Sequence, residues 1–267
     1  MKKITSRLIL IQVFVFCLVF STSTFAQKRP KMKAPAAAAT IPYKNPALPV
    51  NDRVQDLIGR MTLEEKVAQT MCIWSMKKKM LLFHEKKLVD SVMKKKLSHG
   101  LGQIGLVSDM SDNAHRQAEM SNEIQKFFME KTRLGIPVIF HEEGLHGHMA
   151  PGGTSYPQAI AMASSWNPEM VEEVFTNIAE EMRARGAQQA LTPVLDVARD
   201  PRWGRVEETY GEDPYLISRM GVAAIRGFQG RTGNTFIDHK HVIATMKHFA
   251  AHGQPEGGHN IAPANAD

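Results

Sequence analysis

Residues 141–148 read HEEGLHGH: two carboxylates and three histidines in eight positions, interrupted by two glycines. Such a stretch could be a metal site, an acid/base pair or the lip of a binding pocket. A zinc-hydrolase helix needs H-E-x-x-H, with its imidazoles one turn apart. Here His141 and His146 are five apart with Gly144 between them. That spacing puts them on different sides of a helix that glycine would itself weaken. His146 and His148 alternate as they would on a strand. On these residues alone, a metal site assembled from separate loops stays open.

A second cluster, RDPRWGRVEETYGED (199–213), packs three arginines, a tryptophan and several acids into fifteen residues. That density suits polar recognition in a loop. Guanidinium groups and carboxylates give directed bonds to hydroxyls, and Trp203 offers an apolar face to a sugar ring. An ion-pair network of Arg199, Asp200, Arg202 and Glu207 tying loops together is an equal reading. Glu208, Glu212 and Asp213 could instead support the N-terminus of a following helix. A third cluster is Lys247-His248-Phe249. Its lysine suits a charged contact to polar substrate atoms, and a buried, paired Lys or a core His is the bland alternative. His252 and His259 read as surface residues.

These clusters need elements to position them. Asp52 to Arg60 has helical spacing, and Thr62-Leu-Glu-Glu65 is a capping box that opens a helix through Gln69. GLGQIGLVS (100–108), PVIF (137–140), QALTPVLDV (189–197) and VIATMKHFA (242–250) read as four strands. Helices are expected over Asp112 to Glu130, from Asn167-Pro168 to the stop at Gly186, and over Tyr215 to Phe228. HEEGLHGH hangs off the second strand. Strand, loop and helix repeating in this way imply right-handed parallel βα units. The polar clusters all follow strands, as on the catalytic face of a (β/α)8 barrel. An open doubly wound sheet is disfavoured, since no G-x-G-x-x-G follows the first strand and polar residues crowd three successive strand ends.

The N-terminus reads as separate. MKKITSR is basic, LILIQVFVFCLVF is apolar, and STSTFA offers small residues before a cut after Ala26. The apolar run is short for a bilayer span of about 20 residues, and bulky Phe16 before Cys17 argues against a lipid anchor. Residues 1–26 are thus expected to be a signal peptide, 27–49 a flexible Pro/Ala/Lys leader, and 50–267 the folded part. The protein is expected to be exported, periplasmic or secreted, with no stable membrane anchor. Loss of Lys2, Lys3 and Arg7 lowers the net charge from +6 to about +3, and with Cys17 gone no intrachain disulfide to Cys72 is expected. KKK (77–79), KK (86–87) and KKK (94–96) fit the solvated face of an amphipathic helix better than a nucleic-acid patch.

Taken together, the clusters resemble glycoside hydrolase family three, N-terminal catalytic domain, in its β-glucosidase/β-xylosidase branch. The stretches are MTLEEKVAQ (61–69), GIPVIFHEEGLHG (135–147), SYPQAIAMASSWNPE (155–169), RDPRWGRVEETYGEDP (199–214) and KHFAAHGQPEGGHNIAPAN (247–265), in the family's order and spacing. The resemblance implies a (β/α)8 TIM-type barrel, of which this chain would hold roughly the first half, after a signal peptide. It implies hydrolysis of terminal β-linked sugars from oligosaccharides or glycosides by a retaining mechanism, with no metal and no organic cofactor. It implies that Glu143, Arg205, Lys247 and His248 bind the sugar, with Asp200, Trp203 and His146 supporting them. It also implies non-proline cis peptides around Lys247-His248.

Three features stand out against the family. Glu143 occupies a position where many family glucosidases have Asp, and its longer side chain leans the pocket towards a pentose such as xylose or arabinose, or a glucose accommodated by a rearranged loop. The loop KHFAAHGQPEGGHN differs from the KHFPGHG type of the N-acetylglucosaminidase branch. The family nucleophile lies in an S-D-[WY] motif that this sequence does not reach, and VSDMSDN (107–113) follows the first strand instead. The nucleophile and acid/base are therefore expected beyond Asp267, in a truncated product or an incomplete reading frame. A non-catalytic sugar-binding module is the alternative, and a metallohydrolase a more distant one.

Overall fold

The computed structural model describes residues 41–74, 82–84, 87–231 and 238–264. The expected signal peptide, most of the leader and Lys77–Lys79 lie outside the described residues. The chain divides at Arg53 into two units. In the first, a 3-10 helix, Pro42–Lys44, presents the Tyr43 carbonyl to the Arg53 guanidinium at 3.0 Å. Helix α1, Val50–Arg60, crosses the division.

In the second unit, α2 (Leu63–Gln69) starts at the expected capping box. Thr62 Oγ1 accepts from the Glu65 amide at 3.3 Å, and the Glu65 carboxylate accepts from the Thr62 amide at 2.9 Å. Strand β1 (Cys72–Ile73) follows; its short apolar stretch gives no periodicity to read. Strands β2 (Phe83–His84) and β3 (Lys87–Leu88) form an antiparallel hairpin. Lys87 is therefore on a hairpin, not the expected helix, whereas Lys94, Lys95 and Lys96 line the exposed face of α3 (Asp90–Leu97).

Strand β4 (Gln103–Gly105) leads through a 3-10 turn to α4 (Ala114–Lys131), capped by Asn113, whose side chain accepts from the Arg116 amide. Strand β5 is Ile139–Glu142, two residues later than PVIF suggests, so His141 and Glu142 lie within the strand. A short α5 (Ala159–Ala163) precedes α6 (Pro168–Ala184), capped by Asn167 with Pro168 at the first helical position. The strand expected over 189–197 is only β6 (Gln189–Ala190). Pro193 has no N–H for a ladder, and pairing resumes as a single parallel bridge at Val194. Helix α7 (Pro214–Gln229) is capped by Asp213, and the last expected strand shrinks to β7 (Ile243–Ala244).

Among the described residues the main sheet has five strands, all parallel, in the order β1-β4-β5-β6-β7. The count of four from sequence is thus one short. Between these neighbours the order follows the chain without reversal. A doubly wound sheet reverses at a switch point; an unreversed parallel sheet with helical crossovers is barrel topology. The fold is α/β of TIM-barrel type.

Two apolar clusters hold the helices to the sheet. Ile104 and Phe140 pack with Met120, Ile124, Phe127 and Phe128 of α4. Val171, Phe175, Ile178 and Met182 of α6 meet Met220, Ala224 and Phe228 of α7, with the Phe175 and Phe228 rings 4.9 Å apart. Each such buried side chain contributes about 1.5–3 kcal/mol. The helices are anchored, so the strand ends between them are held in place. No helix among the described residues is long and apolar enough to cross a membrane.

Candidate functional site

Parallel strands end on the same side of the sheet, and the three clusters leave there. At the end of β5 the adjacent carboxylates part. Glu142 turns inward and is 1% exposed. It accepts from the Ser108 amide at 3.1 Å, the Ser108 hydroxyl at 2.5 Å and Gln117 Nε2 at 3.2 Å. That tie joins β5 to the turn after β4 and to α4. Glu143, half-buried, points the other way and meets Lys247 Nζ at 2.9 and 3.2 Å.

Lys247 is delivered by the end of β7. Its amide donates to the Pro193 carbonyl at 3.0 Å and its carbonyl accepts from the Leu195 amide at 2.8 Å. This pairing carries the chain beyond β6 to Asp196, whose buried carboxylate accepts from His248 Nδ1 at 2.7 Å and from the His248 amide at 3.3 Å. The Lys247–His248 and Phe249–Ala250 peptides are both cis, as the resemblance implies for this region.

The arginine loop adds the third side. Arg205 donates from Nε at 2.8 Å and from Nη2 at 2.6 Å to Glu208, a bidentate geometry. Donating to the Glu208 carboxylate raises the Arg205 pKa. Burial pushes the Glu208 carboxyl up. The Arg205 hydrogen bond and charge, with Lys247 and His248, outweigh burial and hold it below its ordinary value. Arg205 Nη1 faces His252 Nε2 at 3.3 Å.

The loop sorts its other residues. Asp200 closes on Arg202, with three bonds of 2.7–2.9 Å; these bonds lower its pKa to about 2. Of the network expected to tie two loops together, the structure shows the Asp200–Arg202 pair, which lies within one loop, while Arg199 and Glu207 are exposed. Trp203 is only 2% exposed, so it offers no open face to a sugar. Its Nε1 donates to Asn260 at 2.9 Å and its ring meets His252 edge-on at 5.1 Å.

The histidines of HEEGLHGH go to separate partners. His141 Nε2 lies 4.0 Å from Cys72 Sγ. His146 Nδ1 is 3.0 Å from the Tyr156 carbonyl, pinning its own loop. His148 is buried beside Glu142 at 3.8 Å. Among the described residues no three His, Cys, Asp or Glu side chains converge as a metal site would require.

Sequence reading missed three members. Asp196 was hidden inside the apolar run PVLDV, where a lone acid is itself a signal, since buried carboxylates need partners. Glu208 was read as helix support, a role that Asp213 fills. His252 was read as a surface residue; it is half-buried between Trp203 and His248, with ring centroids at 5.1 and 4.6 Å. A cavity of about 340 Å³ opens beside this group, lined by His248, Phe249, His252 and Pro255.

Comparison with known proteins adds ancestry to this geometry. The chain is 37% identical over 234 residues to a putative beta-xylosidase of Formosa agariphila, covering 82% of this chain and 29% of that protein. It is 33% identical over 205 residues to a periplasmic beta-glucosidase of Salmonella typhimurium, covering 77% of this chain and 24% of that one. The structure of a beta-glucosidase from Erythrobacter marinus superposes with a TM-score of 0.75 at 33% identity, over 86% of this chain and 30% of that chain. The chain thus spans about a third or less of the length of these three relatives. Residues 62–267 match the family model described as the glycosyl hydrolase family 3 N terminal domain, and with the unreversed parallel sheet and its clustered strand ends, the chain belongs to that family.

Proposed function

We propose that this chain supplies the sugar-gripping side of a retaining β-glycosidase site acting on terminal β-linked glucose or xylose. Glu143 accepts from vicinal sugar hydroxyls; Lys247, His248 and Arg205 donate to them. Asp200, Trp203 and His146 hold the loops. The observation that carries this reading is the Glu143–Lys247 pair at 2.9 Å, formed across β6 between the ends of β5 and β7, beside His248 and Arg205. A pre-formed set of charged donors and acceptors grips hydroxyls without reorganising, and each charged hydrogen bond contributes about 1.5–3 kcal/mol. The names of the relatives, beta-xylosidase and beta-glucosidase, support the substrate class.

A retaining mechanism needs a nucleophile and an acid/base carboxyl about 5–5.5 Å apart. Glu143, Asp196 and Glu208 are each committed to a cation or a histidine. The reading therefore gives neither catalytic role to Glu143, Asp196 or Glu208. Titration of the chain with xylose and with glucose tests it. Saturable binding that weakens about tenfold or more in Glu143→Gln, without turnover of an aryl β-xyloside or β-glucoside, is the expected outcome. Absence of binding, or turnover by the purified chain, would overturn it.

The same proposal includes export. The basic, apolar and small-residue succession over 1–26 and the periplasmic naming of the Salmonella relative support it. N-terminal sequencing of protein recovered from the periplasm or medium should begin at Gln27; retention of Met1 on protein found in the cytosol would contradict it.

A further inference from the structure

His252 faces a guanidinium, and that fixes its chemistry. Arg205 carries only N–H donors; Nε and Nη2 are spent on Glu208 and Nη1 points at His252 Nε2 at 3.3 Å. The contact is a hydrogen bond only if Nε2 holds a lone pair, which makes the ring neutral with its proton on Nδ1. The ring cannot turn away easily. Trp203 and His248 meet it edge-on at 5.1 and 4.6 Å. The loop behind it is pressed onto the chain after β6: the Gly253 carbonyl accepts from the Arg199 amide at 2.9 Å, and a Cβ at Gly253 would sit 2.3 Å from the Val197 carbonyl.

We propose that His252 is a positioning residue for Arg205: its unprotonated Nε2 holds the guanidinium in place, and protonation of the ring loosens Arg205 and with it the grip on the sugar. The charged and polar groups around the ring come from each packed element. Arg205, with Glu208 behind it, and Trp203 face it from the loop after β6. Asp196 faces it from that loop's base, His248 from the end of β7 and Asn260 from its own loop. A second cation beside Arg205 and His248 would set N–H against N–H. Burial, then the charge of His248, with Arg205 adding, holds the His252 pKa below the usual imidazole range, against opposing contributions from Asp196 and Asn260. The neutral form therefore prevails near neutral pH.

The gating role rests on the sugar-binding reading above, so the test separates the two. Long-range nitrogen–proton NMR of the imidazoles in the full chain, assigned by difference with His252→Gln, should show His252 protonated on Nδ1 alone at neutral pH. Xylose titrations should show the dissociation constant of the wild-type chain rising about twofold or more as the pH falls from about 7 to about 5, with the rise centred below the ordinary imidazole value. His252→Gln can still accept through its side-chain oxygen but cannot be protonated. It should weaken binding less than His252→Leu does and lose most of the acid dependence. An Nε2–H tautomer or a cationic ring at neutral pH overturns the proposal, as does an acid dependence unchanged in His252→Gln. Absence of sugar binding in every protein, with the tautomer as expected, overturns the sugar-binding reading and the gating built on it, and leaves the His252–Arg205 contact standing.

Discussion

Glu142 and Glu143 are neighbours with opposite fates, and the difference is a matter of which face of β5 each leaves. Glu142 is buried under three donors from Ser108 and Gln117. Glu142→Gln puts an amide NH2 against those donors and should cost about 1–3 kcal/mol, read as a lower urea midpoint at unchanged m-value. Glu143→Gln removes a half-buried pair with Lys247; its effect should appear in sugar affinity and be small in the same unfolding curve. A reversed pattern, with Glu143→Gln unfolding the chain and Glu142→Gln silent, would mean that the two roles are exchanged.

At the scale of elements, α6 and α7 cross closely because Gly227 lets them. A Cβ there would lie 2.5 Å from the Glu172 carbonyl and 2.7 Å from Phe175 Cβ, and the first of these is backbone that cannot swing aside. Gly227→Ala should therefore destabilise by about 1–3 kcal/mol through overpacking, although alanine favours an isolated helix. The sign of the change in melting temperature decides between these effects. At the start of α7, Asp213 accepts from the Tyr215 and Leu216 amides at 3.0 and 3.3 Å. Asp213→Ala removes that cap and should cost about 1 kcal/mol, with Asp213→Ser restoring most of it.

For the molecule as a whole, acid stability follows from carboxylates held by arginines. Hydrogen bonds from Arg133 are the main cause that lowers the Glu65 pKa below 4.5, and Glu208 is lowered against burial by Arg205. A carboxyl with a depressed folded-state pKa stabilises above its unfolded value and loses that stabilisation as pH falls through the folded value. The urea midpoint should thus fall on acidification below about pH 4.5. It should fall less steeply in Glu65→Gln and Glu208→Gln, each of which starts from a lower midpoint at neutral pH. Equal slopes in wild type and both variants would assign acid unfolding to other groups.

What could be read without the structure was what local physics writes into the chain. The capping box at Thr62, the Asn167-Pro168 helix start and the polar clusters after apolar runs depend on neighbours in sequence, and each is where the residues implied. The sugar-binding residues at the strand ends were implied by the resemblance to the family's stretches rather than by local physics. Tertiary structure decided the rest. β1 is too short to show a period, and β6 and β7 are shorter than their apolar runs because pairing needs a partner N–H in register, which Pro193 lacks. Trp203, in a polar loop, is buried, while Asp196 and His252 complete the cluster. Burial and pairing are set by residues dozens of positions away, and a single chain carries no local mark of which distant atom will stand 3 Å from it.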